Sequence, residues 1–359
     1  MREHVRPSLT RAEDVVANAS GENFPVALRL LPARHRRHLG NLYFFARLTD
    51  DLGDEAREAT EPREATNAAE ATNAAEATNA AEATNAAEAT NARKATNARK
   101  ATKATPAIEA THVTPAVEAT HATEISPSRT DVTELRLRLL DELAADVDRI
   151  YAGQTPQSPV MQAMAETVRE CDVPAKPLFD LIQANRQDQQ VTRYRSYAEL
   201  ARYCELSANP VGRIVLYIFG AATPKRIALS DRICTALQLA EHWQDVAEDL
   251  ANGRIYLPGE DLERFGVTEA DLAAPTAGPA VRQLMAFEVT RAARLLDGGA
   301  PLVGTLRGSA RLAVAGYLAG GRAALAAIAR QQYDVLKGTP RPGKQKLVTE
   351  LAKAYVRGR

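Results

Sequence analysis

The chain has 359 residues, 45% of them apolar, enough for one large domain or two small ones around a sizeable core. It carries 45 basic and 45 acidic residues, so the net charge is zero and the basic excess of a general nucleic-acid binder is missing. Its three cysteines, Cys171, Cys204 and Cys234, fit neither a zinc pattern nor a paired disulfide framework and read as reduced core residues of a cytoplasmic protein.

The N-terminal MREHVRPSLTRAEDVV lacks the apolar stretch of a signal peptide. A helical pattern follows in RHRRHLGNLYFFARLT and runs into the acidic motif DDLGDE. Steps of three and four trace Leu39, Tyr43, Arg47, Asp50 and Asp54, which puts the last two carboxylates one turn apart on one face. From Glu64 the unit EATNAA recurs at 64, 70, 76 and 82, then decays towards ATKATPAIEATHVTPAVEATHATE. A period of six matches neither a helix face nor a solenoid repeat. Large apolar side chains are absent until Ile108, so residues 57–129 read as a low-complexity, disordered insertion. The Glu-x-x-His spacings at Glu109/His112 and Glu118/His121 read as by-products of the repeat.

Beyond the insertion the pattern is helical again. Leu135, Leu139, Leu140, Leu143, Val147 and Ile150 recur at helical steps, as do Ile227, Ile233, Leu237 and Ala240. Pro174, Pro177, Pro210, Pro224, Pro258 and Pro301 punctuate the helices, and no alternating strands stand out. The prediction is an all-α domain of roughly a dozen helices, built from 1–56 and 130–359. The stretch LAVAGYLAGGRAALAAIA reads as a core helix pair, with a membrane-facing patch as the other reading. Arg311 and Arg322 interrupt it, leaving no 18-residue apolar run and so a soluble or peripheral protein rather than a spanning one.

A second acidic motif, Asp245-Val246-Ala247-Glu248-Asp249, ends the strip Leu237, Glu241, Asp245, Asp249. Like charges at i,i+4 weaken a helix by a few tenths of a kcal/mol, so two such pairs are an ordinary solvated face unless a cation sits between them. Hard Mg²⁺ prefers carboxylate oxygens, keeps several waters and is completed by phosphate. Two pairs on facing helices would therefore grip a diphosphate through Mg²⁺ and stabilise it as a leaving group. Arg47 and Arg254 are candidates to meet that phosphate, with plain surface ion pairs as the alternative.

These motifs resemble the squalene/phytoene synthase family of head-to-head prenyl-diphosphate enzymes. The resemblance rests on ENFPVALRLLP (22–32), LYFFARLTDDLGDE (42–55), LIQANRQDQQVTRYRSYAELARYCELSANPVG (181–212), ALQLAEHWQDVAEDLANGRIYLP (236–258) and QQYDVL (331–336). ENFPV, ANRQDQ and EHWQDVAED are similar to its hydroxysqualene branch in bacterial hopanoid pathways. The resemblance implies one all-α isoprenoid-synthase domain with a central cavity. It implies presqualene diphosphate as substrate, Mg²⁺-assisted ionisation, rearrangement of a cyclopropylcarbinyl cation and quenching by water. It assigns metal to Asp50, Asp54, Asp245 and Asp249, and diphosphate contact to Arg47 with Tyr43 beside it. Phe24 falls at the first substrate segment, Tyr203 at a cavity tyrosine of the carbocation step, and Asp188, Gln189 and Gln238 at further substrate positions. Hopanoid-pathway enzymes are the implied partners, and the C30 lipid substrates suggest peripheral membrane contact.

The sequence departs from the family's Asn-x-x-Arg-Asp, which here reads Glu241-His242-Trp243-Gln244-Asp245. Glu241 still offers metal an oxygen, and Gln244 removes a positive charge. Both changes disfavour two diphosphates in one cavity, and so favour presqualene diphosphate over condensation of two farnesyl diphosphates. Condensation to presqualene diphosphate, squalene or a phytoene-like product is the runner-up. An inactive assembly protein would be expected to lose the carboxylates that remain here, and a histidine-rich metal bundle has only His242 near the acids. His242 reads as off the metal strip and Trp243 as core. Asn209-Pro210 reads as a structural helix break or as a place that sets Asn209 beside the quenching water. A glycine pair, Gly320-Gly321, stands where a pocket tyrosine is expected in the C-terminal helix, close to Tyr317.

Overall fold

The computed structural model describes residues 31–54 and 129–357, so Phe24 and the hexapeptide repeat with its Glu-x-x-His spacings lie outside the described residues. The described residues 31–54 and 132–357 fall in one compact unit. The described residues form fourteen helices and no strand, so the all-α expectation holds. A single parallel bridge joins Arg193 and Ile255.

Helix α1 (Ala33–Asp54) carries the first acidic motif inside its last turns. Helices α2 (Arg129–Tyr151), α3 (Pro159–Cys171), α4 (Ala175–Asp188) and α5 (Tyr197–Ser207) follow. The chain then breaks at Ala208 into α6 (Asn209–Ile218). Thr223 caps α7 (Pro224–Gln244) by accepting from the Arg226 amide, with Pro224 preset for the first turn. Short α8 (Val246–Ala251), α9 (Gly259–Phe265) and α10 (Glu269–Leu272) lead to α11 (Pro279–Gly299), α12 (Pro301–Thr305), α13 (Gly308–Arg330) and α14 (Lys344–Arg357).

Two apolar cores divide these helices. One gathers Leu39, Phe45, Leu143, Met161, Leu178 and Ile214 from α1, α2, α3, α4 and α6. The other is built on α7, whose Ile233, Leu239 and Trp243 pack with residues of α11 and α13. Helix α7 packs against α6, α11 and α13, which is why its apolar residues spread round the helix instead of forming one stripe. Trp243 is wholly buried there, as expected of a core residue. The α7–α11 contact is close enough that a Cβ on Gly299 would lie 2.7 Å from the Leu229 carbonyl oxygen. In α2 the inward row is Leu140, Leu143, Val147 and Ile150, whereas Leu135 is 47% exposed.

The predicted helix pair LAVAGYLAGGRAALAAIA is one continuous helix, α13. Glycine costs only about 1 kcal/mol in a helix interior, and burial on both sides outweighs that. Among the described residues α13 is the one helix long and apolar enough to cross a membrane, but 67% of its apolar window is buried inside the protein. Its hydropathy is that of a core helix.

A buried charge cluster links α9 to α11. Arg291 donates to Asp261 at 2.8 Å and to Glu288 at 3.1 Å, and lies over the Tyr197 ring at 4.3 Å. Burial raises Glu288 to about 8, Arg291 opposes the rise, and a hydrogen bond to Asp261 and the nearby Glu260 add to it. Between its ordinary value of 4.5 and about 8, Glu288 thus keeps in the folded protein a proton that the unfolded chain gives up. This contribution is complete below 4.5 and is lost as pH rises through about 8. Glu288→Gln, neutral at every pH, is expected to flatten that part of the pH dependence. Urea midpoints measured across about pH 5 to 9 would show the flattening, and parallel curves for the two proteins would refute it.

Candidate active site

The acidic motifs meet at a polar chamber of about 210 Å³. Asp50 of α1 reaches it, with Asn185, Asp188 and Gln189 from the end of α4 and Tyr203 from α5. Gln238, Glu241 and His242 come from α7, and Asp245 and Asp249 follow. Tyr256 and Arg254 close the lining.

Asp50, Gln238, Glu241 and Asp245 also line a second, larger cavity of about 730 Å³. Its walls are mostly apolar: Leu39, Leu42 and Leu181 from one core, and Ala240 and Ala324 from the other. The four shared residues form the junction between a charged chamber and an oily one.

Local geometry explains each placement. At about 100° per residue, two steps of four overshoot the helix axis by about 80°. The cavity row of α1 is therefore Leu39, Leu42, Tyr43, Ala46 and Asp50. Arg47 lies off that row: its side chain is 53% exposed, pairs with Asp51 at 3.0 Å and lines neither cavity. The backbone of Asp54 ends α1, while its side chain lies outside the described set.

The second motif is not one uninterrupted helix. Asp245 sits between α7 and α8 with φ −107° and ψ 18°. Its amide still bonds to Glu241 O at 3.1 Å, and the Asp249 amide bonds to Asp245 O at 2.8 Å, so the four-residue spacing survives the break. After α8 the chain turns at Gly253, whose φ of +74° suits glycine. The turn bonds the Arg254 amide to Asp249 O at 2.8 Å and brings its guanidinium to Asp188 O at 3.4 Å.

Exposure grades the acids. Asp50 and Glu241 are exposed, whereas Asp245 and Asp249 are half-buried. Burial raises both inner acids. Asp249 reaches about 7, with Asp245, Glu248 and Glu241 adding to the rise and Arg254 opposing it. For Asp245 the Thr339 hydroxyl, donating at 3.3 Å, opposes the rise. Hard carboxylate oxygens strained by burial and mutual repulsion are a donor set that suits a divalent cation such as Mg²⁺. Among the described residues no three side chains form a preformed chelating group.

An aromatic wall backs the chamber. The Tyr203 hydroxyl donates to Asp188 Oδ2 at 2.8 Å, and burial, followed by Asp188, pushes its pKa well above 10. Its ring lies 5.4 Å from Tyr194 and 5.9 Å from Tyr256. His242 stacks on Tyr256 at 3.7 Å, and burial lowers it to about 3, so it is a neutral ring. The sequence reading set His242 aside, yet it lines the chamber. Gln238 Nε2 lies 3.4 Å from His242 Nε2, and Gln189 accepts from Arg136 at 3.2 Å.

Several lining residues went unread. Asn185 donates to Asp50 Oδ1 at 3.3 Å; its signal is its position one turn before Asp188 and Gln189. Thr339, Arg341 and Pro342 come from an aperiodic C-terminal loop, and the Gln244 amide is held by the Pro340 carbonyl. Tyr317, Gly320 and Gly321 all line the larger cavity. Asn209 lines neither cavity: it is 3% exposed and accepts from Thr235 Oγ1 at 2.9 Å.

A family model for squalene/phytoene synthase matches residues 17–123 and 119–347. The chain belongs to this family. Its members process prenyl diphosphates and use a divalent metal for diphosphate ionisation. The chain is 32% identical over 212 residues to a phytoene synthase of Arthrospira platensis, covering 55% of this chain and 68% of that one. It is 31% identical over 175 residues to a hydroxysqualene synthase of Rhodopseudomonas palustris, covering 48% of this chain and 58% of that protein. The crystal structure of squalene synthase HpnC from Alicyclobacillus acidocaldarius matches with a TM-score of 0.63 at 31% identity, over 90% of this chain and 94% of that one. A dehydrosqualene synthase solved with a ligand, 19% identical, shares the fold with a TM-score of 0.68 over 97% of this chain and 96% of that one.

Asp249→Asn removes one buried charge of the donor set. It is expected to lower Mg²⁺-dependent diphosphate release by about 100-fold. It should also shrink the rise in melting temperature that Mg²⁺ produces in thermal-shift titrations; an undiminished rise would exclude Asp249 as a ligand.

Proposed function

We propose that this protein converts presqualene diphosphate to hydroxysqualene and diphosphate in a Mg²⁺-dependent reaction. The supporting observation is the junction at Asp50, Gln238, Glu241 and Asp245, where the charged chamber adjoins the apolar cavity. A molecule with a diphosphate head and a long hydrocarbon body matches both halves.

In this reading Asp50, Glu241, Asp245 and Asp249, with Asp54 one turn further along α1, hold Mg²⁺, which when bound neutralises charge on the departing diphosphate. Arg254 adds fixed positive charge to the same chamber. The hydroxyl of Tyr203, anchored on Asp188, remains a protonated hydrogen-bond donor rather than a base. The ring of Tyr203, which lines the chamber, offers a carbocation π density without a nucleophile. Tyr43 and the leucines of α1 keep bulk water from the hydrocarbon.

Electrostatics favours one diphosphate over two. Gln244 is neutral and tied to Pro340, and Glu241 adds negative charge at the junction. The runner-up is condensation of two farnesyl diphosphates, supported by the equal likeness to a phytoene synthase. Residues 57–129 are read as an insertion tolerated by one all-α domain made of 1–56 and 130–359.

Purified protein with Mg²⁺, offered presqualene diphosphate and farnesyl diphosphate separately, is expected to turn over the first alone and give hydroxysqualene by mass spectrometry. Turnover of farnesyl diphosphate alone would install the runner-up. Deleting residues 60–128 is expected to leave the rate within about twofold, as removal of a surface segment does; loss of turnover in the folded deletion protein would give the repeat a part in the reaction.

A further inference from the structure

Helix α13 carries two adjacent glycines whose surroundings differ. A Cβ on Gly321 would lie 2.7 Å from Leu237 Cδ2 and 3.0 Å from Leu296 Cδ2, so its missing side chain lets α13 close on α7 and α11. Leaving aside its chain neighbours and the backbone of its own helix, a Cβ on Gly320 would meet no heavy atom within 4 Å. Such open space is ordinary at exposed turns, as at Gly153 and Gly220, but Gly320 is buried. A buried position with room where its side chain would be borders a hole. Gly320 lines the apolar cavity of about 730 Å³.

No backbone demand explains this glycine. It lies inside the unbroken helix Gly308–Arg330 and is not among the glycines with positive φ. Apart from proline, glycine is the poorest helix former, and alanine would favour the helix at such a position. Close packing does not explain it either, since nothing approaches. What the glycine leaves is space. Tyr317 and Ala324, one turn before and after it, line the same cavity, as do Leu39 and Leu42 of α1. Gly320 does not line the charged chamber, so a side chain there would take room from the apolar cavity and leave the acids in place.

We infer that Gly320 is a specificity-determining residue: the side chain it lacks keeps open the room for a long prenyl chain, and a bulky residue there would turn the preference towards shorter ones. This rests on the proposed function in one respect, that the apolar cavity takes the hydrocarbon of a prenyl diphosphate. The discrimination is steric. A side chain at 320 clashes with the long chain and still offers apolar contact to the short one.

The test compares full-length wild type, Gly320→Ala and Gly320→Leu in Mg²⁺. Calorimetry reads the Kd of two unreactive probes. One is the thiolodiphosphate analogue of presqualene diphosphate, and the other is its homologue with each arm one isoprene unit shorter. Gly320→Leu is expected to bind the long analogue about 10- to 200-fold more weakly than wild type and the short one within about threefold, the range that a methylene or so of misfit produces in an apolar pocket. Gly320→Ala is expected to shift the preference in the same direction by less, and to melt no lower than wild type, since alanine favours the helix and fits the space. It carries the test if the leucine protein does not fold. An unchanged preference, or an equal loss for both probes, overturns the role. A lower melting temperature for Gly320→Ala overturns the open space itself. Wild-type protein that binds the long analogue but makes no hydroxysqualene from presqualene diphosphate overturns the hydroxysqualene reading, and the binding preference still decides Gly320. Wild-type protein that binds neither probe overturns both.

Discussion

Carboxylates held close together in a partly dry chamber repel one another, and the packing around α7 opposes that repulsion. Asp50, Asp188, Glu241, Asp245 and Asp249 all line a space of about 210 Å³, with Arg254 against them. Water screens Asp50 and Glu241 at the exposed edge, whereas burial leaves Asp245 and Asp249 reluctant to ionise. The break at Asp245 lets the second motif turn without losing its four-residue spacing. Trp243, two residues before it, is wholly buried and fixes that end of α7 to the core. A site strained in this way gains from a cation and an anion bound together, the pairing that ionisation of a diphosphate requires.

The chemistry follows from the contact between two unlike chambers. Charge is confined to one side, and the other is walled by leucines, alanines and glycines. Tyr203, Tyr256 and His242 line the charged chamber as packed rings, with Tyr194 stacked behind them. The two phenols nearest Asp188 and the neutral imidazole are poor traps for a cation: burial keeps both phenols protonated, and the ring of His242 is stacked against Tyr256.

The acids at Asp50, Asp245 and Asp249 and the spacing that joins them were legible in the chain, because a like-charged pair one turn apart is a local pattern. Arg47 shows the limit of that reading. Counting by fours drifts round a helix, and the residue that looked aligned with Asp50 pairs with Asp51 on the outer side. Asn209 shows another limit. It follows a helix break, and no periodicity tells whether it faces the cavity or, as it does, the α6–α7 interface. Thr339 and Arg341 were silent for a different reason, since both reach the site from a distant part of the chain.

By itself the sequence determined an all-α chain, the two acidic motifs, and a family whose model matches most of its length. These follow from local rules: helical periodicity, proline punctuation and short motifs, each contained within a few turns. Tertiary structure decided that α13 is one core helix, that Asp50, Glu241 and Asp245 stand between a charged and an apolar chamber, and that Asn209 is structural. Those outcomes depend on which side of each helix the packing buries, and burial is settled by partners many residues away.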